Sequence, residues 1–469
     1  MTLIHMLDED SLLNIFHLYR PFLLGEDQDI NIRMEGGGEW AGERWWYRLA
    51  QVCQRWRNLI LGSASYLGIC LVCTYGTPVA DMLAHSPPLP LVVDYKYHDI
   101  TAEDEEGILL ALGQRDRVRR IRFFQPVVKL QKLIMAIDEE YPILEYLILA
   151  DPPEEKSTVL ILPETLQTPH LRLLMIDCSI RIPTRSPLLG TAAGLVILYL
   201  AMDHPSTYFE PTVLLRWLSL MSELEILMIF FRFPVPNRDV ERQLMRIPIV
   251  THATLPNLRS FSLQTVSTYS EAVVSRITAP RLKKLQICFF KQLMFSVPQL
   301  LQFLGGTENL RCDRAKIQFT SKRVIVEVYP LEAETFTFSI NVDCWHLDWQ
   351  VSSMAQIFNG LSQLSSTVEH LSLRLWIHSR SSEEHNEVDR TEWRKLLRSF
   401  GNVKALRVHR GLVEELSRCL RLEDGEYPLE LLPELQELTY SGSGNTNDAF
   451  TSFIDDRKNA GRPVTLIKS

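Results

Sequence analysis

One short phrase, apolar-x-x-apolar-x-apolar, constrains this chain more than any other feature, because it returns from about residue 90 onward. It appears as Val118-x2-Ile121-x-Phe123, Leu144-x2-Leu147-x-Leu149, Leu171-x2-Leu174-x-Ile176 and Leu195-x2-Leu198-x-Leu200. It continues at Leu224, Leu258 and Leu282, weakens at Leu310, and returns at Val368, Val403 and Leu435. Starts from Val118 to Leu310 are 26, 27, 24, 29, 34, 24 and 28 residues apart. Alternate residues of a strand face opposite sides, so each phrase makes one short strand with one apolar face. A unit this small cannot bury that face alone, but stacked units can. Stacking also suits 469 residues, which exceed what one ordinary core holds.

Between phrases the chain has helix-like return segments, for example Pro211 to Leu218 and Val297 to Leu304, each with Pro near its start. The phrase and its period resemble leucine-rich repeats, in degenerate form, with Pro before the strand at Pro256, Pro280 and Pro433. The expected class is α/β: an N-terminal helical module over residues 1–75, then a leucine-rich-repeat solenoid, a curved parallel sheet with outer helices. The array runs over 76–313. It is interrupted at 314–366, where Val324–Tyr329 and Thr335–Ile340 alternate around Pro330 and predict a hairpin-like β insertion or seam. Repeats and a cap follow over 367–469, with a polar loop at Ser379–Thr391 and a short helix and strand after Gly444.

The first 75 residues read differently. Asp8-Glu9-Asp10 precedes Leu12, Ile15, Phe16 and Tyr19, the spacing of an amphipathic helix capped by Asp8. A polar stretch, Gly25–Glu43, reads as an insertion, and a second helix carries Trp45, Leu49, Val52, Cys53, Trp56 and Ile60 on one stripe. The pattern Leu7-x4-Leu12-x2-Ile15-Phe16, then Leu49-x2-Val52-Cys53-x2-Trp56, resembles the F-box, and the segments around Cys73 and Pro90 resemble F-box proteins of mushroom-forming fungi. Two departures stand out: Asp8 occupies the place of the usual proline, and the Gly-rich stretch lengthens the gap.

That resemblance implies a substrate-recognition adaptor of an SCF-type cullin–RING ubiquitin ligase. The F-box would meet a Skp-family linker protein through Leu12, Ile15, Phe16, Val52 and Trp56, with Leu49 and Cys53 shared with the internal core. The repeats would hold an unknown protein substrate. The rival expectation is a repeat scaffold outside any ligase, with the N-terminal helices merely capping the array.

Strand alternation places the third and fifth residues of each phrase on the concave face. Four middle units then present Tyr146, Ile148, Leu173, Met175, Ile197, Tyr199, Ile226 and Met228, an apolar target-binding stripe. A basic start at Arg120 and Arg122 precedes it, and a polar second half, including His370, Ser372, Ala405 and Arg407, follows. Arg115, Arg117 and Arg119 join the first two as an alternative phosphate-reading cluster.

Composition narrows the remaining classes. Hydrophobic residues make up 46% and charged residues 23%, which suits a folded chain, and the net charge of −8 opposes binding to nucleic acid or anionic membrane. The longest uncharged run, Leu59–Pro78, holds no continuous apolar 20-mer, so no membrane span is expected. Eight cysteines sit mostly in apolar runs, and with no signal-peptide pattern they predict a cytoplasmic or nuclear setting. Cys70-x2-Cys73 has no second pair at zinc spacing, the histidines do not cluster, and P-loop, HExxH, GxSxG and kinase patterns do not occur. Neither enzymatic activity nor a cofactor nor a metal is expected.

Overall fold

The computed structural model describes residues 7–19, 44–96, 99–151, 159–233, 250–290, 292, 294–307, 310, 313–330, 335–376, 390–422, 427, 429–441 and 449–468. The Gly25–Glu43 stretch lies wholly outside the described residues, and so do most of Ser379–Thr391 and residues 442–448. The architecture is mixed α/β, and contacts divide it into two compact units, Met1–Ile197 and Leu198–Ser469.

The first unit opens with the helix Glu9–Tyr19, capped as the sequence predicts: the Ser11 N–H donates to the Asp8 carboxylate at 2.7 Å. In place of the single second helix expected there are two, Trp45–Ala50 and Gln54–Gly62, because the chain breaks at Cys53. Cys53 adopts extended backbone (φ −160°), and its sulfur accepts the Trp56 N–H, so the residue expected mid-helix is an N-cap. Leu12 and Phe16 are fully buried, and the Phe16 ring meets Trp56 edge-on at 4.8 Å. The Trp46 indole donates to the Cys70 carbonyl at 3.2 Å, tying this small core to the first strand.

Strands β1 (Leu71–Cys73), β2 (Leu91–Lys96), β3 (Val118–Phe124) and β4 (Tyr146–Ala150) then pair in parallel, each with the next. The short β5 (Leu160–Ile161) pairs outside this sheet with β7 (Ile180–Arg181), while β6 (Leu173–Asp177) pairs in parallel with β4. The phrase residues Ile121, Phe123, Leu147, Leu149, Leu174 and Ile176 are completely buried, as a repeat strand requires. The return segments after β1, β2 and β3 are helical, and the helix Ala102–Leu112 begins with a capping box in which Thr101 and Asp104 satisfy each other's backbone N–H.

The second unit begins at Leu198, within β8 (Ile197–Met202). It continues through β9 (Ile226–Phe231), β10 (Ala253–Thr254), β11 (Ser260–Thr265), β12 (Ile277–Thr278) and β13 (Lys284–Phe289). β9, β11 and β13 are parallel neighbours, and β10 pairs with β12 at the side. Prolines 211 and 298 open their return helices. Glu271 of one helix accepts the N–H groups of Gln299 and Leu300 at the start of the next, at 2.6 and 2.9 Å, so one repeat caps the following one.

Then the direction reverses once. β14 (Arg314–Thr320), β15 (Arg323–Tyr329) and β16 (Phe338–Asp343) form an antiparallel meander. β16 lies parallel beside β13 and β14 lies parallel beside β17 (His370–Trp376), so the repeats flank one inverted strand, β15. The register also explains the weak phrase at Leu310. Ala315 and Ile317 pair with Leu371 and Leu373 and take the inward places, so the true phrase starts two residues later than the sequence suggested. β18 (Ala405–Val408), β19 (Glu437–Tyr440) and β20 (Thr465–Lys468) complete the parallel series. Arg457, fully buried, closes the end by donating to the carbonyls of Leu432, Pro433 and Leu435 at 3.0–3.2 Å.

Candidate functional site

The outward face of β14, β17, β18 and β19 forms an open cleft of about 650 Å³. Its layout follows from the pleat: Ala315, Ile317, Leu371, Leu373, Leu406 and Leu438 turn inward and are buried, which turns the intervening polar residues outward. Register sets those residues in rows. One row runs Glu327, Lys316, Ser372, Arg407, Thr439; the row beside it runs Tyr329, Arg314, His370, Ala405, Glu437; a third pairs Gln318 with Arg374.

The charges in this cleft are unequally engaged. Lys316 meets Glu327 at 3.0 Å, and Glu327 also accepts the Tyr329 hydroxyl at 2.6 Å. Burial first, then that hydrogen bond and the Glu327 charge, push the Tyr329 phenol up, so it remains the donor. Arg314 donates to the Pro330 carbonyl at 3.1 Å and lies 5.8 Å from the Tyr329 ring centre. Glu437 accepts the Thr439 hydroxyl at 3.0 Å. Among the described residues no ion pair engages Arg374 or Arg407, and the Ser372 hydroxyl is buried with no hydrogen-bond partner.

The apolar stripe predicted from the sequence has a different environment. In the first unit Tyr146, Ile148, Leu173 and Met175 are half-buried, and Ile197 is buried. In the second unit Ile226 and Met228 are half-buried, while Tyr199 is buried, its ring 5.5 Å from that of Phe230. The expectation is corrected for Ile197 and Tyr199 alone: β8 is buried along its whole length, so these two do not stand free on the surface.

The arginine cluster is likewise engaged. Arg122 forms a two-pronged ion pair with Asp94, its Nε 2.6 Å from Oδ1, with both side chains about nine-tenths buried. Arg120 is buried with its guanidinium 4.7 Å above the Tyr146 ring. Arg119 meets Glu145 at 2.9 Å, Arg115 meets Asp138 and Glu139, and Arg117 donates to the Leu89 carbonyl.

The N-terminal residues split into two groups. Leu12, Phe16 and Trp56 are buried in the module's own core, which takes them off the free surface where a linker was expected to meet them. Leu49 and Cys53 are partly buried, Ile15 is 44% exposed and Val52 is 60% exposed. Leu18, Tyr19 and Tyr66, which the sequence reading did not place at a partner surface, are also exposed. Cys70 and Cys73 are buried, and burial pushes the Cys73 thiol up to about 12. No described helix is long and apolar enough to cross a membrane.

No protein-family model matches this chain, and no curated protein matches it. Among solved structures it is similar to the leucine-rich repeat-containing protein LegL7 from Legionella pneumophila. The identity is 9%, the match covers 83% of this chain and 98% of that one, and the TM-score is 0.25. A superposition that loose adds nothing to the strand register above, on which the repeat reading stands.

Proposed function

We propose that the chain is a non-enzymatic adaptor whose repeats hold a segment of a target protein. The cleft across β14, β17, β18 and β19 carries this reading. It is open, it is built on rigid strands, and its polar groups are incompletely satisfied within the chain, which is what a recognition surface needs.

The finer reading is the substrate-recognition adaptor of an SCF-type cullin–RING ligase, acting in cytoplasm or nucleus, with the N-terminal helices docked to a Skp-family linker. Its support is the F-box-like pattern together with the apolar side chains that the module leaves at its surface, Ile15, Leu18, Tyr19 and Val52. Leu12, Phe16 and Trp56 then act indirectly, by holding the helices that present those side chains. Such an adaptor contributes proximity, raising the concentration of target beside the ubiquitin-loaded enzyme. The hydrogen bond from Trp46 to Cys70 favours a second reading, in which the helices only cap a scaffold.

Co-purification of the full chain with a Skp-family linker separates the two. The wild type brings down the linker, and the Ile15→Asp, Val52→Asp double variant loses it while its thermal unfolding is unchanged. No association of the wild type would replace the ligase reading with the scaffold.

A further inference from the structure

Ser372 is surrounded by nitrogen-bearing side chains on four sides. Lys316 and Arg407 flank it in register on the neighbouring strands, and His370 and Arg374 stand two residues away along its own strand on the same face. Pleated-sheet geometry sets these spacings at about 4.8 Å across the strands and about 6.6 Å along one. The hydroxyl at the centre is buried and has no hydrogen-bond partner among the described residues. Lys316 is offset by Glu327, whereas no ion pair engages Arg374 or Arg407 among the described residues. Glu437, the one carboxylate among the described residues that line the cleft, sits a row away and accepts from Thr439. This excess of cations stands on a chain whose net charge is −8.

We propose that this cradle binds a phosphate monoester, carried as phosphoserine or phosphothreonine on the target segment. The inference rests on the reading of the cleft as the target site and names what that site recognises. A dianion with three acceptor oxygens uses a set of convergent donors that a single carboxylate would leave partly idle. The arginines supply planar paired donors, Lys316 a point charge, and Ser372 a hydroxyl that donates to the same oxygens. A nucleic acid needs a basic track spanning several phosphates, whereas here Glu327 closes one end of the row and Glu437 borders the other.

The test uses the immobilised full chain and a degenerate nonapeptide pool with a central phosphoserine, before and after phosphatase treatment. The phosphorylated pool is retained at least about tenfold better, and added salt weakens it. Arg374→Ala and Arg407→Ala each cut that retention about tenfold and Ser372→Ala about threefold, with unchanged thermal unfolding. Equal retention of the two pools, or of neither, overturns the phosphate site, and equal retention leaves the cleft as a target surface. Preferential retention of a short single-stranded DNA also overturns it. A phosphate preference that survives the Arg374→Glu, Arg407→Glu double variant overturns its placement at this cleft.

Discussion

The strand faces of the two units begin from the same spacing and end with opposite arrangements of charge. On β2, β3 and β4 the outward charges are engaged within the chain: Asp94 clasps Arg122, and Arg120 lies over the Tyr146 ring. On β14, β17 and β18 two arginines have no ion pair among the described residues and a buried serine hydroxyl is left without a partner. The first face uses its charges to hold repeats together, whereas on the second Lys316 meets Glu327 and Arg374 and Arg407 have no ion pair among the described residues. Under the proposed function, charged residues at outward repeat positions mark a binding surface only where their partners are missing.

Three substitutions probe that contrast, in falling order of effect. Asp94→Ala removes the carboxylate that clasps the nearly buried Arg122 guanidinium and is expected to cost about 3 kcal/mol, read as a lower midpoint in chemical denaturation. A loss under about 0.5 kcal/mol would mean that the first face is as open as the second. Ser372→Asp supplies an anion from within; it should raise stability by about 0.5 kcal/mol at low salt, fade at high salt, and block phosphopeptide retention. Arg407→Ala, an exposed group, should move stability by less than about 0.5 kcal/mol in either direction.

Much of the fold is legible in the sequence, because burying one apolar face per strand leaves its mark as a spacing. Ile121, Leu147, Leu174, Leu285, Leu371 and Leu406 all stand where the phrase puts them. The inverted strand was only half legible. Val324–Tyr329 reads as β, but its antiparallel place between β14 and β16 depends on pairing with distant segments, which no local pattern encodes. Cys53 misled the helix reading for a related reason: an i, i+4 stripe continues through Val52 and Trp56 although the backbone turns between them.

The candidate site was less legible than the fold. Alternation correctly sends His370, Ser372 and Arg407 outward, yet it cannot say which outward charges are already paired. Lys316 and Arg314 were missed altogether, since they lie in the segment read as a seam, and only the register of β14 against β17 brings them beside Ser372. Conversely, Ile197 and Tyr199 look outward by count, but β8 is buried on both faces.

Position-resolved photocrosslinking tests the central claim most directly. A photoreactive residue is placed at Ala405, in the cleft of the second unit, or at Met175, on the apolar face of the first, in otherwise unaltered full-length chain. Target protein is expected to crosslink at position 405, and Arg374→Glu with Arg407→Glu to abolish the product. Crosslinking at position 175 with none at 405 would contradict it and return target recognition to the apolar stripe.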